Sequence, residues 1–153
     1  MNARIEPFGR EHAAAFDALN RAWLVNYGLL ETPDEEQLRD PWTHILGPGG
    51  QIFVAVSGDT VLGTCGVIPL PDGTLELAKL AVSPEARGQG IGRRLIEACL
   101  EYARAKRVSR VVLLSNSQLG SAVRLYQALG FQHRPVPPDS HYVTADVYME
   151  LEL

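Results

Sequence analysis

The sequence predicts an α/β (α+β) fold: a mixed, mostly antiparallel central sheet of six to seven strands flanked by about four helices. Three observations predict it. The middle of the chain reads as consecutive strands separated by tight turns. The second half switches to helical spacing. The C-terminal residues alternate apolar and polar.

Arg4 to Phe8 is a short strand candidate, and residues 9–27 read as a helix with Phe16, Leu19 and Trp23 at helical spacing. Thr32-Pro33-Asp34-Glu35 follows. Thr32 fits an N-cap, Pro33 the first helical position, and Glu35 the far half of a capping box. The acidic run 34–36 is thereby read as a helix start rather than a metal site. Gln51–Ser57 is apolar and β-branched, Gly58-Asp59 a turn, 61–70 a second strand, Pro71-Asp72-Gly73 a turn, and 74–82 a third strand. These three predict an antiparallel meander. From Pro84 the period changes: Ile91, Leu95, Cys99 and Tyr102 mark an amphipathic helix to about Lys106. Residues 111–114 form a short buried strand. A helix over 119–129 ends at Gly130, a left-handed C-cap. Val143, Ala145, Val147, Met149 and Leu151 predict a closing strand with one buried face, able to pair with a second copy as a homodimer.

With 153 residues the chain predicts one domain spanning 1–153, large enough to bury a core without disulfides or metal. Its 46% hydrophobic and 21% charged residues are those of a globular protein. A net charge of −4 argues against nucleic acid as a partner, while leaving room for a local basic pocket. Cys65 and Cys99 show no paired spacing and sit in apolar surroundings, so they read as buried thiols. His12, His44, His133 and His141 lack metal-ligand spacing, and no metal is expected. The charged N-terminus has no apolar core of a signal peptide, and no apolar run reaches the roughly 18 residues of a spanning helix. No membrane partner and a cytoplasmic location are the resulting expectations.

The most informative stretch is the strand 75–82 followed by Ser83-Pro84-Glu85-Ala86, then Arg87-Gly88-Gln89-Gly90-Ile91-Gly92-Arg93-Arg94 opening a helix. The first amides of any helix lack internal partners and carry partial positive charge. Glycines there admit a diphosphate to those amides, and Arg87, Arg93 and Arg94 add full charges around the mouth. Two familiar phosphate motifs fit poorly. No Lys-Ser/Thr pair follows the glycines, as a Walker loop requires, and the spacing is G-x-G-x-G rather than the G-x-G-x-x-G of a Rossmann turn.

Arg87-Gly88-Gln89-Gly90-Ile91-Gly92 resembles motif A of the GNAT superfamily of N-acetyltransferases, Gln/Arg-x-x-Gly-x-Gly/Ala. Downstream, Ala122-Val123-Arg124-Leu125-Tyr126-Gln127-Ala128-Leu129-Gly130-Phe131 resembles motif B, commonly Ala-x-x-Leu-Tyr-x-x-x-Gly-Phe. The resemblance implies that the strands 75–82 and 110–115 splay apart around the pantetheine arm of acetyl-CoA. Leu80, Ala81 and Val82 would pair with its amides, and Arg87, Gly88, Gln89, Gly90, Ile91, Gly92 and Arg93 would hold its pyrophosphate. Asn116 is a further candidate contact; family members often carry an asparagine later, where this chain has Leu119.

The implied reaction is acetyl transfer from acetyl-CoA, a cosubstrate, to an amine of a small molecule, peptide or protein, by direct attack in a ternary complex. A lysine-like amine has a pKa of roughly 10.4, so about one in a few thousand is neutral at pH 7 and a base is needed. The resemblance makes Tyr126 the general acid for the leaving thiolate and Glu76 the candidate general base; Glu76 also reads as a binder of a substrate cation or a solvated residue. Strict alternation puts Glu76, Ala78, Leu80 and Val82 on one face and Lys79 on the other, barring a bulge. Ser121 reads as a helix cap. Trp23, Tyr27, Trp42, His141 and Tyr142 are candidates to line the acceptor site. A non-catalytic acyl-CoA-binding or sensing domain, and a nucleotide-binding module using the same loop, are the rival readings.

Overall fold

The computed structural model describes residues 2–153. Its strands are β1 (Arg4–Pro7), β2 (Gln51–Ser57), β3 (Thr60–Pro69), β4 (Leu75–Val82), β5 (Arg110–Ser115), β6 (Gln132–Arg134) and β7 (Val147–Glu152). The α-helices are α1 (Ala13–Asn26), α2 (Thr32–Arg39), α3 (Ile91–Ala105) and α4 (Gly120–Ala128). One seven-stranded sheet runs in the order β1-β2-β3-β4-β5-β7-β6. All neighbours are antiparallel except β4 and β5. The expected meander is β2-β3-β4, closed by a turn in which the Asp72 carboxylate accepts from the Thr74 amide and hydroxyl.

The sheet separates two cores. On one face the apolar stripe of α3 (Ile91, Leu95, Ile96, Cys99, Ala103) joins Tyr126, Phe131 and inward residues of β3, β4, β5 and β7. On the other, Phe16 and Leu24 of α1 and Leu38 of α2 meet Ile45, Ile52 and Ile68. Burying a Leu, Ile or Phe side chain fully contributes about 1.5–3 kcal/mol, so each layer is held by several such residues. Cys65 and Cys99 are free and buried within the first. A π-type turn, Trp42–Leu46, links α2 to β2. Gly130 ends α4 with φ +103°, as its position predicts.

Four expectations are corrected. The N-cap of α2 is Glu31, not Thr32: the Glu31 amide donates to Asp34 Oδ2 at 3.0 Å, so the box closes one residue earlier and Glu35 instead meets Arg21 at 2.7 Å. Residues 143–146 are not strand, because their backbone is committed elsewhere: the Val143 and Thr144 amides donate to Glu31 and the Asp146 amide to the Ser115 carbonyl. β7 is internal rather than an edge, since β6, three exposed polar residues without sequence periodicity, covers it along 148–150. It therefore offers no free edge there for pairing with another copy.

The fourth correction concerns β4. Its register with β3 shifts by one between Thr64↔Ala81 and Gly66↔Ala78, so Lys79 and Leu80 both lie opposite Cys65. This is a bulge, and Lys79 adopts the left-handed conformation at φ +60°. A left-handed non-glycine residue costs about 1–2 kcal/mol and persists only where its surroundings hold it. Here they do. Thr64 Oγ1 donates to the Lys79 carbonyl at 2.8 Å, and Asn20 Nδ2 of α1 donates to Thr64 Oγ1 at 2.9 Å. The extra residue ends the simple alternation. Leu75 and Leu77 face the α3 core, and beyond the bulge so do Leu80 and Val82, whereas Ala78 packs toward α1.

Candidate active site

β4 and β5 pair only at Leu75↔Val111 and Glu76↔Val112. Beyond that point β4 continues to Val82 and β5 to Ser115 without pairing to each other, as in the splay that the resemblance implies. The gap is the floor of a cavity of about 890 Å³, whose walls come from β4, β5, α1, the start of α3, α4 and residues 142–145. That volume lies within the few hundred to about 1,000 Å³ usual for ligand sites.

One end of the cavity is the start of α3. Gly90 is its N-cap at φ +76°, a conformation that glycine adopts without strain. Among the described residues the amides of 88–93 make no hydrogen bond; the first helical bond is from the Arg94 amide to the Gly90 carbonyl. Arg87, Gly90, Gly92 and Arg93 line the cavity here. Free amides, a helix dipole and two guanidinium groups make this end suited to a polyanion.

Midway, Tyr126 lines the cavity from α4, its ring edge-on to Phe131 at 5.9 Å. Burial, reinforced by the nearby Cys65 thiol, pushes its phenol above the ordinary tyrosine value, so it stays protonated at neutral pH.

The other end is polar and mostly buried. Glu76 lines it with only 5% of its side chain exposed, and its Oε1 lies 3.2 Å from His141 Nε2. The Glu76 hydrogen bond is the main cause raising the His141 pKa, against partial burial. Because of the bulge, Lys79 joins this cluster. Its ammonium meets Asp34 Oδ1 at 2.5 Å and donates to the Tyr142 hydroxyl at 3.2 Å, while that hydroxyl donates to Gln37 Oε1 at 3.4 Å. Burial, with Asp34 and Glu76 nearby, pushes the Tyr142 phenol well up. Glu31 accepts from the Val143 amide, the Thr144 amide and the Thr144 hydroxyl at 2.8, 2.9 and 2.5 Å. Burial opposes its ionisation, but these bonds outweigh burial and hold its carboxyl below the ordinary value.

Most residues singled out from the sequence converge here. Glu76, Leu80, Ala81, Val82, Arg87, Gly90, Gly92, Arg93, Asn116 and Tyr126 all border one cavity. Gly88 and Gln89 are exposed beside its mouth, and Ile91 sends its side chain into the core and offers only its backbone. Asn116 is used within the chain: Nδ2 donates to the Thr144 carbonyl and Oδ1 accepts from the Gln118 amide. Four expectations fail. Arg94 turns away to the Ala3 carbonyl at 2.9 Å. Ser121 does not cap α4, whose N-cap is Leu119; its hydroxyl instead meets Arg124. Trp42 packs on Phe8 and under Arg10, apart from the cavity, and His141, with its side chain 44% exposed, does not border it either; Trp23, Tyr27 and Tyr142 do line it. Sequence reasoning missed Asp34, Gln37 and Glu31 and misplaced Lys79. Asp34 was legible as part of an acidic helix start, but its charge partner, 45 residues away, was not.

Among the described residues no cluster suited to a metal ion occurs, and no helix is long and apolar enough to cross a membrane. The model of the acetyltransferase (GNAT) family matches residues 13–131. The chain is similar to human N-acetyltransferase 8B, 46% identical over 90 residues, or 55% of this chain and 39% of that protein. It spans less than half the length of the curated relatives it matches. Among solved structures, a GNAT-family acetyltransferase from Staphylococcus aureus Mu50 superposes with a TM-score of 0.90 at 19% identity, covering 99% of both chains. A GNAT superfamily phosphinothricin acetyltransferase from Sinorhizobium meliloti, solved in complex with acetyl-CoA, has a TM-score of 0.81 at 20% identity, covering 100% of this chain and 89% of that one.

Proposed function

The chain belongs to the acetyltransferase (GNAT) family, and from that premise we propose that it transfers the acetyl group of acetyl-CoA to an amine acceptor by direct attack. The observation that carries this reading is the continuity of one cavity from the free amides at the start of α3, past Tyr126, to Glu76. A molecule whose diphosphate is joined by an extended arm to a terminal thioester suits such a groove. The free amides and Arg87 and Arg93 bind the diphosphate. The unpaired edge of β4 around Leu80, Ala81 and Val82 offers amides and carbonyls to an extended amide-bearing arm.

Tyr126 is the general acid, giving its proton to the sulfur as the thiolate leaves; its protonated phenol at neutral pH supports that role. Glu76 is the general base, in reach of an amine at the polar end of the cavity. Tyr126 and Glu76 facing one cavity favour an enzyme over a domain that only binds acyl-CoA. Titration calorimetry with acetyl-CoA, CoA and ATP tests the binding half. Coenzyme A and its acetyl ester should bind and ATP should bind much more weakly; equal binding of all three would make the loop a general nucleotide site. Thiol release with a panel of small and peptide amines tests the reaction. Tight binding with no release above the hydrolytic background would make the chain a sensor.

A further inference from the structure

Net proton flow through this site needs an exit. An ammonium acceptor enters with three protons on nitrogen and leaves as an amide with one. Tyr126 supplies one proton to the sulfur and regains one from the nitrogen as the amide forms. One proton per turnover remains on the base and must reach solvent. With both substrates in the cavity, Glu76, 5% exposed and facing that cavity, has no direct route out.

His141 supplies one. Its ring nitrogen lies 3.2 Å from Glu76 Oε1, its side chain is 44% exposed, and it does not border the cavity. The pair therefore spans the wall between the reacting chamber and the outer surface. The ring is fixed by its neighbours: it lies 4.7 Å from the Tyr142 ring, and Tyr142 and Val143 are tied to Lys79, Gln37 and Glu31. The charged groups facing His141 are Glu76 and Lys79 from β4 and Glu31 and Asp34 from the start of α2. Lys79 and Asp34 are paired with each other and Glu31 is spent on the loop, which leaves Glu76 as the proton partner.

We propose that Glu76 and His141 act as a proton-exporting dyad, with His141 the outward-facing positioning residue that acts through Glu76. This rests on the reading of Glu76 as the base. The Glu76 carboxylate takes a proton from the acceptor nitrogen, forming O–H as N–H breaks, and the freed lone pair attacks the acetyl carbon. The C–S bonding pair leaves on sulfur, which takes the Tyr126 proton. Glu76 then passes its proton to Nε2 of the neutral Nδ1–H ring of His141, Nδ1–H releases one to water, and exchange of the ring protons with water regenerates that tautomer, while the second nitrogen proton returns to the Tyr126 phenolate.

Two measurements on the full chain decide it. In long-range ¹H–¹⁵N spectra of the imidazoles, with the His141 signal assigned by His141→Gln, Glu76→Gln should lower the His141 midpoint by at least about half a pH unit. An unmoved midpoint overturns the dyad. With an amine from the panel that the wild type acetylates, His141→Ala should lower kcat roughly tenfold and change its pH profile. The KM for acetyl-CoA should hold, and added imidazole should restore part of the rate, which a purely structural role does not allow. An unchanged pH profile, or loss of rate that imidazole does not restore, overturns the relay. If Glu76→Gln abolishes turnover while His141→Ala does not, the base reading survives and the relay falls. If Glu76→Gln is fully active, the base reading itself falls. A wild type that turns over no amine removes the reaction and the relay together, while the spectra still report on the pair.

Discussion

Replacing Lys79 by methionine isolates the buried charge at the polar end of the cavity. Both partners of the Lys79–Asp34 pair have side chains only 4% exposed. Methionine keeps the length and the left-handed backbone penalty of lysine, so only the ammonium is removed. Asp34 is then a buried carboxylate that has lost its counter-charge, retaining one bond from the Glu31 amide at 3.0 Å. Removing one partner of such a pair costs about 3–5 kcal/mol. In a chain of this size 1 kcal/mol corresponds to roughly 2–4 °C, so Tm should fall by roughly 6–20 °C. Urea unfolding followed by the fluorescence of Trp23 and Trp42 gives the free energy directly. The double variant Asp34→Asn/Lys79→Met removes both charges and preserves an acceptor for the Glu31 amide. Its loss should be smaller than the sum of the single losses by more than about 1 kcal/mol. A Lys79→Met protein melting within about 2 °C of wild type, or strictly additive single losses, would refute the claim that this pair is desolvated and coupled.

Tyr126→Phe should lower kcat by about 10²-fold or more with the acetyl-CoA dissociation constant nearly unchanged; unaltered turnover removes the phenol from the mechanism. Gly90→Glu should weaken coenzyme A binding strongly in calorimetry, because it puts a side chain at φ +76° and an anion beside the free amides; a near-normal dissociation constant would move the diphosphate elsewhere. Glu31→Gln should speed amide exchange at Val143 and Thr144. In the wild type the Glu31 pKa is depressed, so its contribution to stability is present above the unfolded value near 4.5 and is lost as pH falls through the lower folded value. The variant's acid limb should accordingly be shallower below pH 4.5; superimposable acid melts of the two proteins would contradict that sign.

The elements whose signals are local were legible in the sequence. An apolar, β-branched run marked β2, the turns at 58–59 and 71–73 bounded β3, helical spacing marked α3, and Gly130 ended α4. The glycine-rich turn at 87–92 was legible because its strand, turn and helix are contiguous in the chain. What escaped depended on partners distant in the chain. Whether β4 alternates or bulges is set by its register with β3, through the Thr64 hydroxyl and the Lys79 carbonyl, and nothing in the local pattern of 75–82 records it. The apolar-polar alternation of 143–147 was a true signal with a false reading, since Glu31 claims the amides that a strand would have used. β6 had no signal at all: Gln132, His133 and Arg134 are polar, exposed and defined only by pairing with β7.

The two residue pairs that join β4 to β5 are the narrow neck of the whole sheet. On one side stand four strands, β1 and the β2-β3-β4 meander, braced by α1 and α3, on the other three strands that hold one another through β7. Across the neck the two sides share the α3 core but few backbone hydrogen bonds, which makes it the place where local opening begins. A molecule wedged between β4 and β5 bridges the neck with its own hydrogen bonds. Ligand at about a hundred times its dissociation constant adds roughly 2.7 kcal/mol to the native state. If the proposed site between β4 and β5 holds the cosubstrate, that gain is expected to fall mainly on the C-terminal strands, with the bound arm serving as the missing rung of the ladder.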